Sequence, residues 1–249
     1  MRQRLWARVE YDGTDFFGFQ VQASERTVQG EIERALEAIT GAQTRVIGAG
    51  RTDRGVHARG QVVSFEVDWR HSLADLQRAL NATLAADVAI LEVGLAPEGF
   101  HPRFSAASRL YRYTLLNRPG RSPLARRIAW QVAQKLDVGR MEQASCCLVG
   151  THDFATFGQP PQGENTVRTV MRAGFRERCP FVEFDIEADA FLYRMVRRIV
   201  GALVLVGWEQ MSPGGFEAML QARDRSLVKQ LAPPQGLCLM QVNYETSRP

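Results

Sequence analysis

The segment GAGRTDRGVHARGQ (residues 48–61) places one carboxylate, Asp53, between two guanidinium groups, Arg51 and Arg54, in a loop with four glycines. Glycine allows tight turns and lets the backbone approach a ligand closely. Neighbouring positive charges would hold the carboxylate ionised, and an ionised carboxylate can act as a nucleophile, a base or an electrostatic stabiliser. A turn aspartate with two solvated arginines explains the same composition, because surface charge clusters are common.

The rest of the chain does not supply an obvious second catalytic acid or a metal site. Asp12 and Asp15 are the nearest candidate acids, and the YDGTDF context is typical of turn formation. Glycoside hydrolysis normally needs two acids, so it is disfavoured. The four histidines are scattered, and no cysteines have C-x-x-C spacing, which predicts no metal site. The cysteines are predicted to be buried, reduced thiols: Cys146, Cys147, Cys179 and Cys238.

A second segment, FHPRFSAASRLYRYTL (100–115), interleaves basic and aromatic side chains. These are Arg103, Arg109 and Arg112 with Phe104, Tyr111 and Tyr113. Guanidinium groups suit phosphates, and ring faces suit unstacked bases, so the segment favours nucleic-acid binding. On a strand Tyr111 and Tyr113 share one face while Arg112 takes the other. Ordinary packing of strand aromatics in a core remains the alternative.

A third segment, AFLYRMVRRIVGALVLVG (190–207), predicts one long, deeply buried helix. It carries Arg194, Arg197 and Arg198 at helical spacing. A buried arginine needs a partner, because burying an unpaired charge is costly. The sequence leaves two choices open, Asp53 or the acids of a neighbouring strand, which are Glu183, Asp185 and Glu187.

These segments must be positioned by secondary structure, and the first half of the chain predicts the order βαββαβ. The strands are 5–11, 44–50, 61–67 and 88–96, and the helices are 27–41 and 72–84. Thr27 and Ser72 are predicted N-caps and Gly41 a C-terminal stop. Leucines at 73, 76, 80 and 84 are expected to face inward. This order is the ferredoxin-like arrangement.

The second half predicts the same order again. Its strands are 109–116, 166–175, 181–188 and 236–244, its helices are 136–149 and 190–207, and an extra helix lies near 216–224. We therefore predict an α+β protein of two ferredoxin-like halves, residues 1–102 and 103–249. They are expected to form one continuous antiparallel sheet with helices on a face and a central cleft.

Composition points to an anionic partner and to a protein outside the membrane. The net charge is +4 and the isoelectric point about 9.1, and arginine far outnumbers lysine. No run approaches 18 apolar residues, and the N-terminus lacks the apolar region of a signal peptide. We expect a cytoplasmic protein with no membrane span.

The motifs of the chain, taken in order, resemble the TruA family of tRNA pseudouridine synthases. They are YDGTDFFGFQ, GRTDRGVHARGQ, RFSAASRLYRY, GTHDFATF, FLYRMVRRIVG and APPQGLCL. Three positions depart from the usual family residues: Phe19 stands where tryptophan is usual, Asp189 where asparagine is frequent, and Arg198 where asparagine is common. Asp189 and Arg198 could pair with each other.

The resemblance implies a cofactor-free, metal-free isomerase and a role for each of several residues. It would convert uridine to pseudouridine at positions 38, 39 and 40 in the anticodon stem-loop of tRNA, with base flipping, as a homodimer. By this resemblance Asp53 is the catalytic carboxylate, Tyr111 packs on the target base and Arg197 pairs with Asp53. Arg51 would help to displace the nucleotide. Further substrate-binding residues would be Arg54, His57, Arg109, Leu192 and Arg198.

Two other functions compete with this one. A non-catalytic RNA-binding protein of paired ferredoxin-like modules would explain the basic aromatic segment. However, the K/R-G-F/Y-G/A-F-V strand signature is absent and Asp53 would have no role. An enzyme for a small anionic metabolite could use Arg51, Arg54 and the glycines as a phosphate nest, but a carboxylate inside such a nest opposes it.

Overall fold

The computed structural model describes residues 2–160 and 163–245. The chain divides into two compact units, one comprising Met1–Ala107 with Leu239–Pro249 and the other comprising Ser108–Cys238. The strands are β1 (Arg2–Tyr11), β2 (Ile47–Gly48), β3 (His57–Asp68), β4 (Val88–Leu95), β5 (Ala106–Asn117), β6 (Trp130–Val132), β7 (Gly150–Asp153), β8 (Val167–Arg178), β9 (Phe181–Ala188) and β10 (Leu237–Tyr244). The helices are α1 (Val28–Thr40), α2 (Leu73–Thr83), α3 (Val138–Ser145), α4 (Met195–Gly207) and α5 (Pro213–Gln221).

The first unit has the predicted element order βαββαβ, and it also contains most of β10, which was predicted for the second half. Its strands lie in the order β4-β1-β3-β10, with β2 also paired to β3. The pairs β1–β3, β1–β4 and β2–β3 are antiparallel. Alternation along β1 fully buries Leu5, Ala7 and Val9 on one of its faces. The predicted α+β class is confirmed by this sheet and its two helices.

The caps predicted for α1 and α2 are confirmed. The Thr27 side chain accepts a hydrogen bond from the Gly30 N–H, and Gly41 ends α1 in the left-handed conformation with φ 71°. Ser72 and Asp75 form a reciprocal capping box at the start of α2. Leu76 and Leu80 are fully buried, whereas Leu73 and Leu84 are only partly buried.

The second unit contains the strand order β5-β9-β8-β7, with β6 parallel to β5. The pairs β5–β9, β8–β9 and β7–β8 are antiparallel. Helix α4 forms much of its core, since eleven of its thirteen residues are buried. The extra helix predicted near residue 216 is confirmed as α5. Within the described ranges, no helix combines the length and the hydropathy needed to cross a bilayer.

Two local expectations were wrong in their boundaries or burial. Helix α4 begins at Met195 rather than at residue 190, because Tyr193 is bridged to Gln159 and Arg194 takes a left-handed φ of 59°. Thiols Cys146 and Cys179 are exposed instead of buried. Helix α3 ends at Ser145, and the tighter turn that follows carries Cys146 out of the helical apolar face.

The other two cysteines are partly exposed, and all four are free thiols. Partial burial raises the pKa of the Cys147 thiol to about 11. Cys147 therefore stays protonated and poorly nucleophilic near neutral pH.

A glycine in α4 provides a stability prediction. A Cβ at Gly201 would lie 2.1 Å from the Gln230 carbonyl oxygen, whereas one at Gly214, in the first turn of α5, would meet nothing within 4 Å. Gly201→Ala should destabilise the protein by about 2 kcal/mol or more through overpacking against backbone. Gly214→Ala should be neutral or stabilise it by up to about 1 kcal/mol, because alanine has the higher helix propensity. Denaturant unfolding of both variants tests the opposite signs, and equal effects would contradict the packing argument.

Candidate functional site

The loop carrying Asp53 connects β2 to β3 and is held at both ends by backbone hydrogen bonds. The Ala49 N–H donates to the Val62 carbonyl at 2.8 Å. The Phe19 N–H donates to the Thr52 carbonyl at 3.1 Å. A turn then closes on Asp53 itself, whose carbonyl accepts from the Val56 N–H at 3.1 Å. The backbone on either side of the carboxylate is therefore fixed.

Buried side chains support the same loop from the sheet. The hydroxyl groups of Tyr11 and Thr52 lie 2.8 Å apart in a hydrogen bond. Gln61 on β3 is fully buried, and its amide nitrogen donates to the Gly50 carbonyl at 2.9 Å. These bonds join positions 50 and 52 to neighbouring strands, so the loop cannot shift without breaking buried hydrogen bonds.

Two glycines of the YDGTDFFGFQ segment allow it to pack directly on the Asp53 loop. A Cβ at Gly13 would lie 2.0 Å from the Val56 carbonyl oxygen. Gly18 has a φ of 94°, and its Cβ would lie 2.8 Å from the Thr52 carbonyl oxygen. Both positions exclude a side chain, so glycine at 13 and 18 allows this segment to lie directly against the Asp53 loop.

His57 lies against the YDGTDFFGFQ segment, and its side chain is almost buried. Its Nδ1 is 3.1 Å from the Gly13 N–H nitrogen and also 3.1 Å from Asp12 Oδ1. Nδ1 cannot accept from the first and donate to the second at once. Asp12 Oδ1 already accepts from both the N–H and the hydroxyl of Thr14, so we assign Nδ1 as the acceptor of Gly13. Asp12 thus has the turn-forming role that the sequence favoured.

The two arginines that flank Asp53 in the sequence have different surroundings, and their effect on its charge stays a prediction. The guanidinium of Arg54 lies over the Phe17 ring, 4.0 Å from its centroid. A cation over a ring face is itself favourable. Both arginines are exposed and so can meet an anion from solution, while Asp53 is half-buried between them.

In the second unit, Arg197 is the arginine of α4 that the fold buries. Its side chain is only 8% exposed. Its Nε donates to the Ala232 carbonyl at 2.8 Å, and the Ala232 N–H donates to the Arg197 carbonyl at 3.1 Å. The next residue, Pro233, accepts the hydroxyl of Tyr113 at 2.7 Å. The APPQG segment therefore holds Arg197 in one position.

Tyr113 remains a neutral hydrogen-bond donor in this arrangement. Burial raises the pKa of its hydroxyl far above the ordinary value, and the positive charge of Arg197 opposes that shift only in part. A Cβ at Gly236 would lie 2.6 Å from the Tyr113 ring, so the segment after Pro233 also packs closely on this tyrosine.

The other two arginines of the segment have different surroundings. Arg198 Nη1 donates to the carbonyl oxygens of Phe157 and Tyr193, at 3.2 and 3.0 Å. Arg194 is exposed, with its guanidinium 4.7 Å from the centroid of the Tyr193 ring. Of the three arginines that were predicted to lie close together, one is therefore buried and two lie at or near the surface.

The Asp189 carboxylate is bonded to backbone N–H groups, and its pairing with Arg198 stays a prediction. Asp189 Oδ1 accepts the N–H groups of Thr169 and Ala190, at 3.1 and 2.6 Å. The Asp189 carboxylate therefore organises the turn between β9 and the start of α4. Its backbone carbonyl accepts Arg109 Nη1 at 2.7 Å, so Arg109 serves the same turn.

Tyr111 and Leu192 lie near this turn as well. Tyr111 on β5 is 8% exposed, and its ring packs edge-on against Phe191 at a centroid distance of 5.0 Å. Leu192 is buried, and a Cβ at Gly158 would lie 2.4 Å from its Cβ. The structure therefore places Tyr111 against the FLY motif, immediately before the helix that carries Arg197.

The acids of β9 are engaged by strand arginines. Arg112 binds Asp185 through two hydrogen bonds, of 2.7 and 2.8 Å, and Glu183 at 3.3 Å. The Asp185 carboxylate raises the pKa of Arg112. Glu187 accepts from Arg172 at 2.8 Å. Arg112 therefore has a structural role on its face of β5, opposite to Tyr111 and Tyr113.

Several supporting residues were missed from sequence. Tyr11, Thr52 and Gln61 were not recognised as the support of the Asp53 loop, and Ala232 was not recognised as the partner of Arg197. The signal was weak, since only the motif positions of YDG and APPQG marked these segments. The contacts depend on chain separations of 11 to 41 residues, which local patterns do not encode.

These features define an α+β protein with a candidate site at the Asp53 carboxylate. The site lies on a glycine-containing loop, with an exposed arginine on either side of Asp53 in the sequence. A family model described as tRNA pseudouridine synthase matches residues 7–105 and 144–245. The chain therefore belongs to the tRNA pseudouridine synthase family, as its motifs predicted.

Three bacterial relatives give the extent of the similarity, and each is named tRNA pseudouridine synthase A. The protein of Roseiflexus castenholzii is 46% identical over 245 residues, covering 95% of this chain and 89% of the relative. That of a Geobacter species is 43% identical over 238 residues, covering 95% and 96%. That of a second Roseiflexus strain is 44% identical over 245 residues, covering 95% and 89%.

Proposed function

We propose that this protein isomerises uridine to pseudouridine at positions 38, 39 and 40 in the anticodon stem-loop of tRNA. The observation that carries the proposal is the placement of Asp53, a single carboxylate on a loop fixed by buried hydrogen bonds, within the matched part of the family. In this reaction the N-glycosidic bond breaks, the uracil rotates and a carbon–carbon bond to the ribose forms. Substrate and product have the same composition, so the reaction consumes no co-substrate.

Asp53 is assigned as the catalytic carboxylate. It acts either as a nucleophile on the ribose C1′ or as a base that removes a ribose proton. A loop that does not move preserves the orientation of the carboxylate from one turnover to the next. The network of Tyr11, Thr52 and Gln61 supports this role because it holds the backbone beside Asp53.

Tyr111 and Arg197 are assigned to the same nucleotide as Asp53. Tyr111 would pack on the uracil, and Arg197 would stabilise the negative charge of the carboxylate during the reaction. Their surroundings in the second unit support these roles. Arg197 is positioned by Ala232, and the Tyr111 ring is oriented by Phe191.

Arg51 and Arg54 are assigned to the RNA around the target. A uridine in a stem must leave the stack, which costs a few kcal/mol. The two exposed guanidinium groups beside Asp53 can bind the phosphates of the extruded nucleotide and help to offset this cost. If one site modifies three different positions, the protein is expected to recognise the shape and the phosphates of the RNA rather than its base sequence.

We also propose that the protein works in the cytoplasm as a homodimer without a cofactor. Membership of a tRNA-modifying family supports the cytoplasmic location, and the dimer and the absence of a cofactor are carried over from the resemblance of the motifs. His57, Arg109, Leu192 and Arg198 are assigned to substrate binding, and each is held in place by a bond to the protein backbone or by packing in the core. Analytical ultracentrifugation of the purified protein tests the dimer.

The decisive experiment uses purified protein and unmodified tRNA transcripts. After incubation, carbodiimide derivatisation and mass spectrometry of RNA fragments locate any pseudouridine. We expect product at positions 38, 39 or 40, and none in a matched transcript with cytidine at those three positions. RNA binding without product would contradict the isomerase and favour the non-catalytic RNA-binding alternative.

A further inference from the structure

A turn just before β5 presents an aromatic ring to solvent. Phe104 is 76% exposed, although phenylalanine is usually buried. The interleaved basic and aromatic segment suggested that Phe104 belongs with the strand aromatics. Strand β5 begins only at Ala106, so Phe104 lies on the turn and outside the face alternation of that strand.

Hydrogen bonds inside the turn make it rigid. The Ser105 N–H donates to the His101 carbonyl at 2.9 Å, and the His101 N–H donates to the Ser105 hydroxyl at 3.0 Å. The Nδ1 atom of His101 also lies 3.2 and 3.3 Å from the backbone nitrogens of Arg103 and Phe104, which donate to it. His101 therefore stabilises the turn through hydrogen bonds of both its backbone and its imidazole ring.

The turn is also anchored to the sheet. The Tyr244 hydroxyl on β10 donates to the Pro102 carbonyl at 2.8 Å, and the rings of Tyr244 and Phe100 pack at a centroid distance of 5.1 Å. Because its own hydrogen bonds and the bond from Tyr244 hold the turn, the Phe104 ring stays at the surface. A rigid exposed aromatic side chain is a feature of binding surfaces.

The surroundings of the ring favour a nucleobase as the ligand. The His101 ring lies 4.4 Å from the Phe104 ring, centroid to centroid, at an interplanar angle of 33°. The Arg103 guanidinium carbon is 5.5 Å from the Phe104 centroid. Residues 99–107 contain no acid, so nothing in the turn itself repels a phosphate. An aromatic ring beside a guanidinium is the pair that binds an unstacked base and its backbone.

We propose that Phe104 stacks on an unpaired nucleobase of the tRNA substrate, with Arg103 beside the neighbouring phosphate. This contact is additional to those of the Asp53 loop, and it rests on the proposed function for the identity of the RNA. The base must be unpaired because both faces of a base inside a duplex are already covered. The contact contributes to substrate binding and leaves the chemical step unchanged.

The test compares Phe104→Leu, Phe104→Trp and the wild type. Leucine keeps an apolar side chain but removes the π face, whereas tryptophan enlarges it. We expect Phe104→Leu to weaken binding of a tRNA transcript about tenfold, and Phe104→Trp to bind at least as tightly as wild type. The single-turnover rate at saturating enzyme should be the same in all three. Fluorescence anisotropy measures the affinity, and a blunt RNA duplex without unpaired bases should bind all three equally.

Each other result has a definite meaning. Equal affinity of Phe104→Leu and wild type for the transcript would overturn the stacking contact, as would an equal loss for the blunt duplex. A change in sedimentation of Phe104→Leu with unchanged RNA affinity would overturn it in favour of contact with a second copy of the chain. If wild type binds the transcript but makes no pseudouridine, the proposed function fails, and the affinity comparison still decides the role of Phe104.

Discussion

Asp53→Asn is expected to lower the single-turnover rate of pseudouridine formation by at least about 10³-fold. The amide has nearly the same shape as the carboxylate but carries no charge and is a poor base and nucleophile. The loop should keep its conformation, because its turn depends on the Asp53 carbonyl and its support on Thr52 and Gly50. The affinity for tRNA and the thermal midpoint of unfolding should therefore remain close to those of wild type.

Asp15→Asn is the matched control. Asp15 is an exposed carboxylate in the segment that packs on the same loop, so this change removes one nearby negative charge without touching the proposed catalytic group. We expect its rate to stay within about threefold of wild type. A rate for Asp53→Asn within tenfold of wild type, or an equal loss in Asp15→Asn, would remove Asp53 from the mechanism.

Arg197→Met is expected to lower the rate at saturating tRNA by about 10² to 10³-fold, the usual effect of removing one preorganised electrostatic group. Methionine keeps an apolar stem in the buried position but loses the guanidinium and its bond to Ala232. The lost bond should also reduce stability by about 1 kcal/mol. Single-turnover kinetics and denaturant unfolding measure the two effects separately.

Arg198→Met distinguishes a catalytic charge from a structural one. It removes bonds to the carbonyl oxygens of Phe157 and Tyr193, so the loss of stability should be comparable, about 1 to 2 kcal/mol. Its rate at saturating tRNA should remain within about tenfold of wild type. If the two variants lose rate in parallel with stability, Arg197 is a structural residue and its assigned role is wrong.

Local features of the sequence predicted most of the secondary structure of this protein. Thr27 and Ser72 cap the helices that they were expected to cap, and Gly41 takes the left-handed conformation that ends α1. Glycine loops, cap residues and alternating apolar positions act over a few residues, so a single segment contains the whole signal. The motif order also identified the family, which the match over residues 7–105 and 144–245 confirmed.

The partners of the charged side chains depended on tertiary structure. Arg54 packs on Phe17, and Arg197 alone among its segment's arginines is buried and bound to Ala232. Tertiary contacts also start α4 at Met195, because the bridge from Gln159 to Tyr193 competes with the helix.

The physical reason for this division is the range of the interactions. A cap or a turn is formed by atoms within four or five residues, and the sequence alone determined those elements and the glycine-rich loop that carries Asp53. The direction in which a long guanidinium points is decided by whichever ring, carboxylate or carbonyl the fold brings within reach. For Arg54 and Arg197 those groups lie 37 and 35 residues away, so only the folded chain could select them.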